Sequence, residues 1–149
     1  MGGIPGALPP VIGWTAATGS ITLPALVLFG IVFLWQMPHF LAIAWICRDD
    51  YAAAGIPMLP VVLGEAETRR QIVLYSFLVV ALTLIVFTVH LLGPVYLAGA
   101  VLLGALLIYY AVRLWRDEST DAARRMFKFS MLYLTLLFTA MVIDRQVIL

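Results

Sequence analysis

The sequence predicts an all-α polytopic transmembrane helix bundle with four full spans and part of a fifth. Two observations carry that prediction. The 149 residues are 64% hydrophobic and only 11% charged, with a mean hydropathy of +1.06. A water-soluble domain carries about 25% charged residues. Second, the apolar residues come in long continuous runs, not in the alternating pattern of an outer-membrane β-barrel. Nine basic residues against eight acidic ones leave a formal charge of +1, too little to steer a nucleic acid, so no nucleic-acid partner is expected. The single cysteine, Cys47, excludes an intrachain disulfide and a CxxC pair.

A helix crossing about 30 Å of hydrocarbon needs roughly 20 apolar residues. The first span is read over residues 21–47, which contain no formal charge until Arg48. The second covers 71–92 and the third 94–112, both uncharged. The fourth covers 126–143, with Lys128 near its start where a long side chain can snorkel. Residues 4–19 are apolar but short, and they contain Pro5, Pro9 and Pro10. They read as a re-entrant loop or as the second half of a helix. Trp14, Tyr109, Tyr110 and Trp115 fall near span ends, where interfacial aromatics belong.

Alternate connections differ sharply in charge. Residues 48–70 hold three arginines, and residues 113–128 hold four arginines and a lysine. Arg145 is the one basic residue on the opposite side. The positive-inside rule therefore places the two basic connections in the cytoplasm. Within residues 113–128, Asp117, Glu118 and Asp121 lie beside arginines and read as a solvated, salt-bridged loop.

The chemistry-bearing stretch is WQMPHFLAIAWICRDDYAAAGIPMLPVVLG, residues 35–64. Gln36, His39 and Asp50 recur at helical spacings, so a helix continuing through Asp50 places them on nearly one face. His39 then lies about 12 Å from the cytoplasmic end. Ionisable groups in a span are costly and usually face a cavity or partner helices, so this face reads as the wall of a cleft. Simpler readings remain beside it. His39 can bond a carbonyl freed by Pro38. Gln36 can be interhelical glue. Asp49 and Asp50 can be solvated partners of Arg48. Pro57 biases the residues before it away from helix, so the stretch after the acidic pair reads as a short helix and a turn, with the next span entered near Arg69. A haem held jointly by His39 and His90 is disfavoured, because the two lie roughly 15 Å apart in depth.

Three blocks carry a resemblance: GALPPVIGW at residues 6–14, FLWQMPHFLAIAW at 33–45 and DYAAAGIPMLPVVLG at 50–64. In that order they resemble the protoheme IX farnesyltransferase (haem O synthase) branch of the membrane prenyltransferase superfamily. The resemblance implies half of a nine-helix fold, with part of the fifth and all of the sixth to ninth helices over residues 1–149. It places the family's first acidic motif, of the NxxxDxxxD kind, outside this sequence. The chain is accordingly expected to be a fragment, inactive alone.

The implied reaction transfers a farnesyl group from farnesyl diphosphate to a vinyl group of haem b, giving haem O with Mg²⁺ as cofactor. It implies Asp50 and His39 as catalytic residues and Asp50 with Asp49 as metal ligands. It implies Arg48, Arg69, Arg70 and Gln36 as substrate-binding residues. An apolar path for the farnesyl chain would use residues such as Phe33, Phe40 and Trp45, with core packing the simpler reading of each one. Ile46 and Ala54 stand where a DxxxD pair would need its second carboxylate, which weakens the metal assignment. The expected setting is the cytoplasmic membrane, with the acidic site on the cytoplasmic side. Haem A synthesis or oxidase assembly proteins are expected as later partners. The competing expectation is a non-catalytic membrane fragment or assembly subunit of a haem–copper oxidase pathway.

Overall fold

The computed structural model describes residues 3–88 and 92–148, with side chains described as far as Arg145. Its described residues form eight helices and no strand. The N-terminal apolar segment is α1 (Gly3–Ala7) followed by α2 (Pro9–Thr18). Leu8 keeps helical dihedrals between them, but Pro9 and Pro10 have no N–H to donate. The segment is thus helical but broken. Gly19, at φ +74°, ends α2 in the left-handed conformation that glycine adopts without strain.

Four helices are long and apolar enough to cross a membrane: α3 (Leu23–Ile46), α6 (Glu65–Thr88), α7 (Pro94–Asp117) and α8 (Thr120–Ile148). Between α3 and α6 lie two short helices, α4 (Arg48–Ala53) and α5 (Leu59–Val62). The chain is an integral multi-pass membrane protein. Phe77, Ile85, Leu102, Met131 and Leu132 are half exposed or more on the outside of the bundle, the arrangement that lipid, not water, makes favourable.

Three boundaries differ from the apolar stretches in the sequence. The second span begins at Glu65, not Gln71, because Glu65 and Glu67 suit the positive end of a helix dipole. The third span runs on to Asp117 and the fourth starts at Thr120. The expected loop over 113–128 is therefore only Glu118 and Ser119 between two helix ends. It folds this way because Ala122, Ala123 and Met126 on its inner face are buried, while Arg124 pairs with Asp121 at i,i+3. Residues 89–91, which include His90, lie outside the described residues, so the two-histidine comparison does too.

Each long helix packs on two others: α3 on α6 and α8, α7 on α6 and α8. Trp45, Ile72, Val79, Leu107, Leu114, Met126, Tyr133 and Leu137 form the fully buried centre. Gly104 sets the closest approach of α6 and α7; a Cβ there would meet Val80 Cγ1 at 2.9 Å. The polar groups between α6, α7 and α8 are paired. Tyr96 donates to the Thr83 carbonyl at 2.9 Å, and Tyr133 donates to the Thr83 hydroxyl at 3.3 Å. Asp144, fully buried near the end of α8, accepts from the backbone N–H groups of Gly93 and Tyr96. A carboxylate from α8 thereby caps the N-terminus of α7, where both orphan donors and the helix dipole favour an anion.

Candidate functional site

The end of the bundle formed by the α3 C-terminus and the α6 N-terminus carries most of the predicted site residues. Helix α3 does not run unbroken to Asp50. Cys47, at φ −99° and ψ 18°, ends it, and α4 restarts at Arg48. The backbone bonds Cys47 N–H to Ile43 O and Tyr51 N–H to Cys47 O keep the two helices in close succession. Asp49 and Asp50 occupy the first turn of α4 and are exposed. Asp49 lies 3.9 Å from Arg48 Nε, while Asp50 has no ion pair among the described residues.

Beneath the acidic pair, Trp45 is fully buried against two guanidinium groups. The Cζ atoms of Arg48 and Arg69 each sit 5.0 Å from its ring centroid, within cation–π range. Arg48 donates from Nε to Glu65 at 2.7 Å and from one terminal nitrogen to the Trp45 carbonyl at 3.1 Å. Arg69 is 7% exposed and donates to Glu118 at 2.6 Å. Arg69 Nε and Trp45 Nε1 are buried and make no hydrogen bond among the described residues. A guanidinium has five N–H donors, so this cluster keeps donor capacity beyond its internal ion pairs. Arg70, by contrast, is exposed and pairs with Glu67 on its own helix, and it stands outside the Trp45 cluster.

Sequence reasoning did not find the acidic partners Glu65 and Glu118. Glu118 is 49 residues from Arg69 and holds a left-handed backbone at φ +52°, uncommon for a non-glycine residue. The pairing depends on α6 and α7 ending at the same side of the bundle, which only the assembled fold provides.

His39 belongs to a different layer. Its Nδ1 is 2.8 Å from Ser130 Oγ on α8, not on a carbonyl freed by Pro38. Its ring lies between Trp35 and Phe127, each with a centroid 4.6 Å away and planes within about 20°. Gln36 is buried and donates to the Gly3 carbonyl at 3.2 Å. It fills the close approach of α1, where a Cβ at Gly6 would fall 2.8 Å from its Oε1. Gln36 therefore ties α1 to α3 and does not stand beside His39 and Asp50 on one open wall. Phe33 stacks on Phe29, and Phe40 is 52% exposed.

A cavity of about 780 Å³ opens at the opposite end, between α2, α3, α6 and α8. Pro9, Trp14, Pro24, Val86 and Phe138 line it, with Arg145 among its few polar residues. None of the predicted site residues lines it. Among the described residues no group of three or more His, Cys, Asp or Glu side chains could hold a metal ion.

Comparison with known proteins adds the family context. The UbiA prenyltransferase family model matches residues 1–137. The chain is 53% identical over 147 residues to a protoheme IX farnesyltransferase from Roseiflexus castenholzii, covering 99% of this chain and 28% of that protein. It is 50% identical to one from Chloroflexus aurantiacus, covering 99% of this chain and 25% of that protein. It is 48% identical to one from Bordetella pertussis, covering 99% and 50%. The chain thus spans a quarter to a half of the length of these relatives. A solved structure described as digeranylgeranylglyceryl phosphate synthase in membranes superposes with a TM-score of 0.84 over 95% of this chain and 51% of that one. At 19% identity the likeness is one of fold.

Proposed function

The chain belongs to the UbiA prenyltransferase family, and on that footing we propose that it is the part of a protoheme IX farnesyltransferase that carries the second acidic motif. In this reading a farnesyl group passes from farnesyl diphosphate to a vinyl group of haem b, giving haem O. The arginine-rich end faces the cytoplasm, where a soluble diphosphate is met. The relatives are longer than the matched stretch, so the proposed activity is that of the longer protein, and this chain supplies one side of its site.

The observation that carries the reading is the unsaturated cluster at the arginine-rich end. Departure of diphosphate from an allylic carbon leaves a carbocation-like fragment and a strongly anionic leaving group. Arg48 and Arg69, held against Trp45, have N–H donors left for phosphate oxygens. Both guanidinium groups are already held over the indole, so little side-chain entropy is lost on binding. Arg70, tied to Glu67 and exposed, is the weakest of the three arginine assignments.

Asp50 and Asp49 are hard oxygen donors of the type Mg²⁺ takes. Mg²⁺ is commonly held by one or two carboxylates together with substrate phosphates, so the donor set fits a cation shared with the diphosphate. When bound, Mg²⁺ would neutralise charge on the leaving group. Asp50 is the stronger candidate, because no ion pair occupies it among the described residues.

His39 lies seven residues before the end of α3 at Ile46, roughly 10 Å of helix rise, while Asp50 sits on α4 beyond the break at Cys47. In this reading the two side chains serve different partners of the reaction. Bond breaking happens beside the diphosphate, which leaves His39 to the acceptor, as a contact for the haem.

A chimaera in which this chain replaces the matching half of the Bordetella pertussis relative tests the proposal. Expressed in cells lacking haem O synthase, it is expected to convert haem B to haem O, read by mass spectrometry of extracted haems. Well-folded chimaera with no haem O would favour the non-catalytic membrane subunit instead.

A further inference from the structure

The hydrogen-bond pattern around His39 bears on where its proton sits, and it depends on a serine that the reaction scheme leaves unused. Ser130 is fully buried on α8. Its Oγ lies 2.7 Å from the Phe127 carbonyl and 2.8 Å from His39 Nδ1. A serine hydroxyl has one hydrogen to donate, and a carbonyl oxygen can only accept. The hydrogen therefore goes to Phe127 O, the usual i−3 bond of a serine within a helix. What Ser130 Oγ offers His39 is a lone pair, so Nδ1 must carry the hydrogen. A neutral imidazole has one N–H. Nε2 is then the unprotonated nitrogen, and it has no hydrogen bond among the described residues.

The ring cannot easily escape this arrangement. It is stacked between Trp35 and Phe127 at 4.6 Å on each face. Trp35 is itself anchored by its indole N–H, which donates to the Ser130 carbonyl at 2.7 Å. Turning the imidazole over would put a carbon opposite Ser130 Oγ and lose the bond. One residue of α8 thus fixes the ring through its hydroxyl and the neighbouring indole through its carbonyl.

We propose that Ser130 is a positioning residue that holds His39 as its Nδ1–H tautomer, so that Nε2 meets the substrate as an electron-pair donor and not as an acid. The consequence for catalysis rests on the proposed function, in which His39 contacts the haem. A Lewis base at that point can accept a proton or bind an electrophilic centre of the tetrapyrrole.

Nitrogen-15 NMR of the chain in detergent, labelled at histidine, tests the tautomer directly. The chain holds two histidines, and a His90→Gln variant leaves only the His39 signals. The hydrogen is expected on Nδ1, and Ser130→Ala is expected to abolish that preference. A hydrogen on Nε2 in the unsubstituted chain would overturn the proposal. In the chimaera, Ser130→Ala is expected to lower haem O turnover about tenfold, the scale of one ordinary hydrogen bond. KM for farnesyl diphosphate should stay within about twofold, and Ser130→Thr, which keeps the hydroxyl, should restore turnover. Full turnover in Ser130→Ala alongside loss in His39→Ala would remove the positioning role. Full turnover in His39→Ala would overturn the haem-contact reading itself, a failure separable from the NMR result.

Discussion

Two polar regions of the bundle end in opposite states. Deep between α6, α7 and α8, the hydroxyls of Thr83, Tyr96 and Tyr133 bond one another and the backbone, and Asp144 spends both oxygens on backbone N–H groups. At the arginine-rich end, Arg69 Nε and Trp45 Nε1 are buried without hydrogen bonds among the described residues, and Asp50 is exposed beside them in sequence without an ion pair. Burying a polar group without a partner costs about 1–3 kcal/mol. A fold tolerates that cost where a ligand offsets it. The saturated region therefore holds the helices together; under the proposed function, the unsaturated one is the side of the bundle that meets substrate.

Substitutions can break this division, and the largest stability effect is expected at Asp144. Asp144→Ala strands the Gly93 and Tyr96 N–H groups and should cost about 3 kcal/mol, read as earlier unfolding in a denaturant titration in micelles. Gly104→Val drives a branched side chain into Val80. It should cost about 2 kcal/mol by the same measurement, because the helices must separate to admit it. Tyr133→Phe removes one long hydrogen bond to Thr83 and should cost about 1 kcal/mol. At the other region, Arg70→Ala should change stability by no more than about 0.5 kcal/mol, since its pair with Glu67 is on the surface. A large loss at Arg70 or none at Asp144 would dissolve the contrast between the two regions.

The spans and their connectivity were legible in the sequence because continuous apolar runs and the segregation of arginine survive any packing arrangement. Helix ends were less so. Residues 113–128 look like a loop by charge, yet Ala122, Ala123 and Met126 turn their inner face into helix packing. The acidic pair and the arginines of the candidate site were visible as residue types near one span end. The long-range polar partners in the bundle were not. Glu118, Ser130 and Asp144 reach residues 48 to 91 positions away, and no local period connects them. Gln36 shows the converse: its spacing from His39 suggested a shared wall, but the glycines of α1 admit a backbone close enough to take its amide.

The central proposal is that the arginine-rich end serves farnesyl transfer, and Asp50→Asn in the chimaera tests it most directly. Haem O formation and the unfolding midpoint should be measured on the same membranes. The account predicts that haem O falls by about a hundredfold or more, the scale of losing a key electrostatic contact to the reacting group, while the midpoint is unchanged. Undiminished haem O formation at an equal level of folded protein would contradict it.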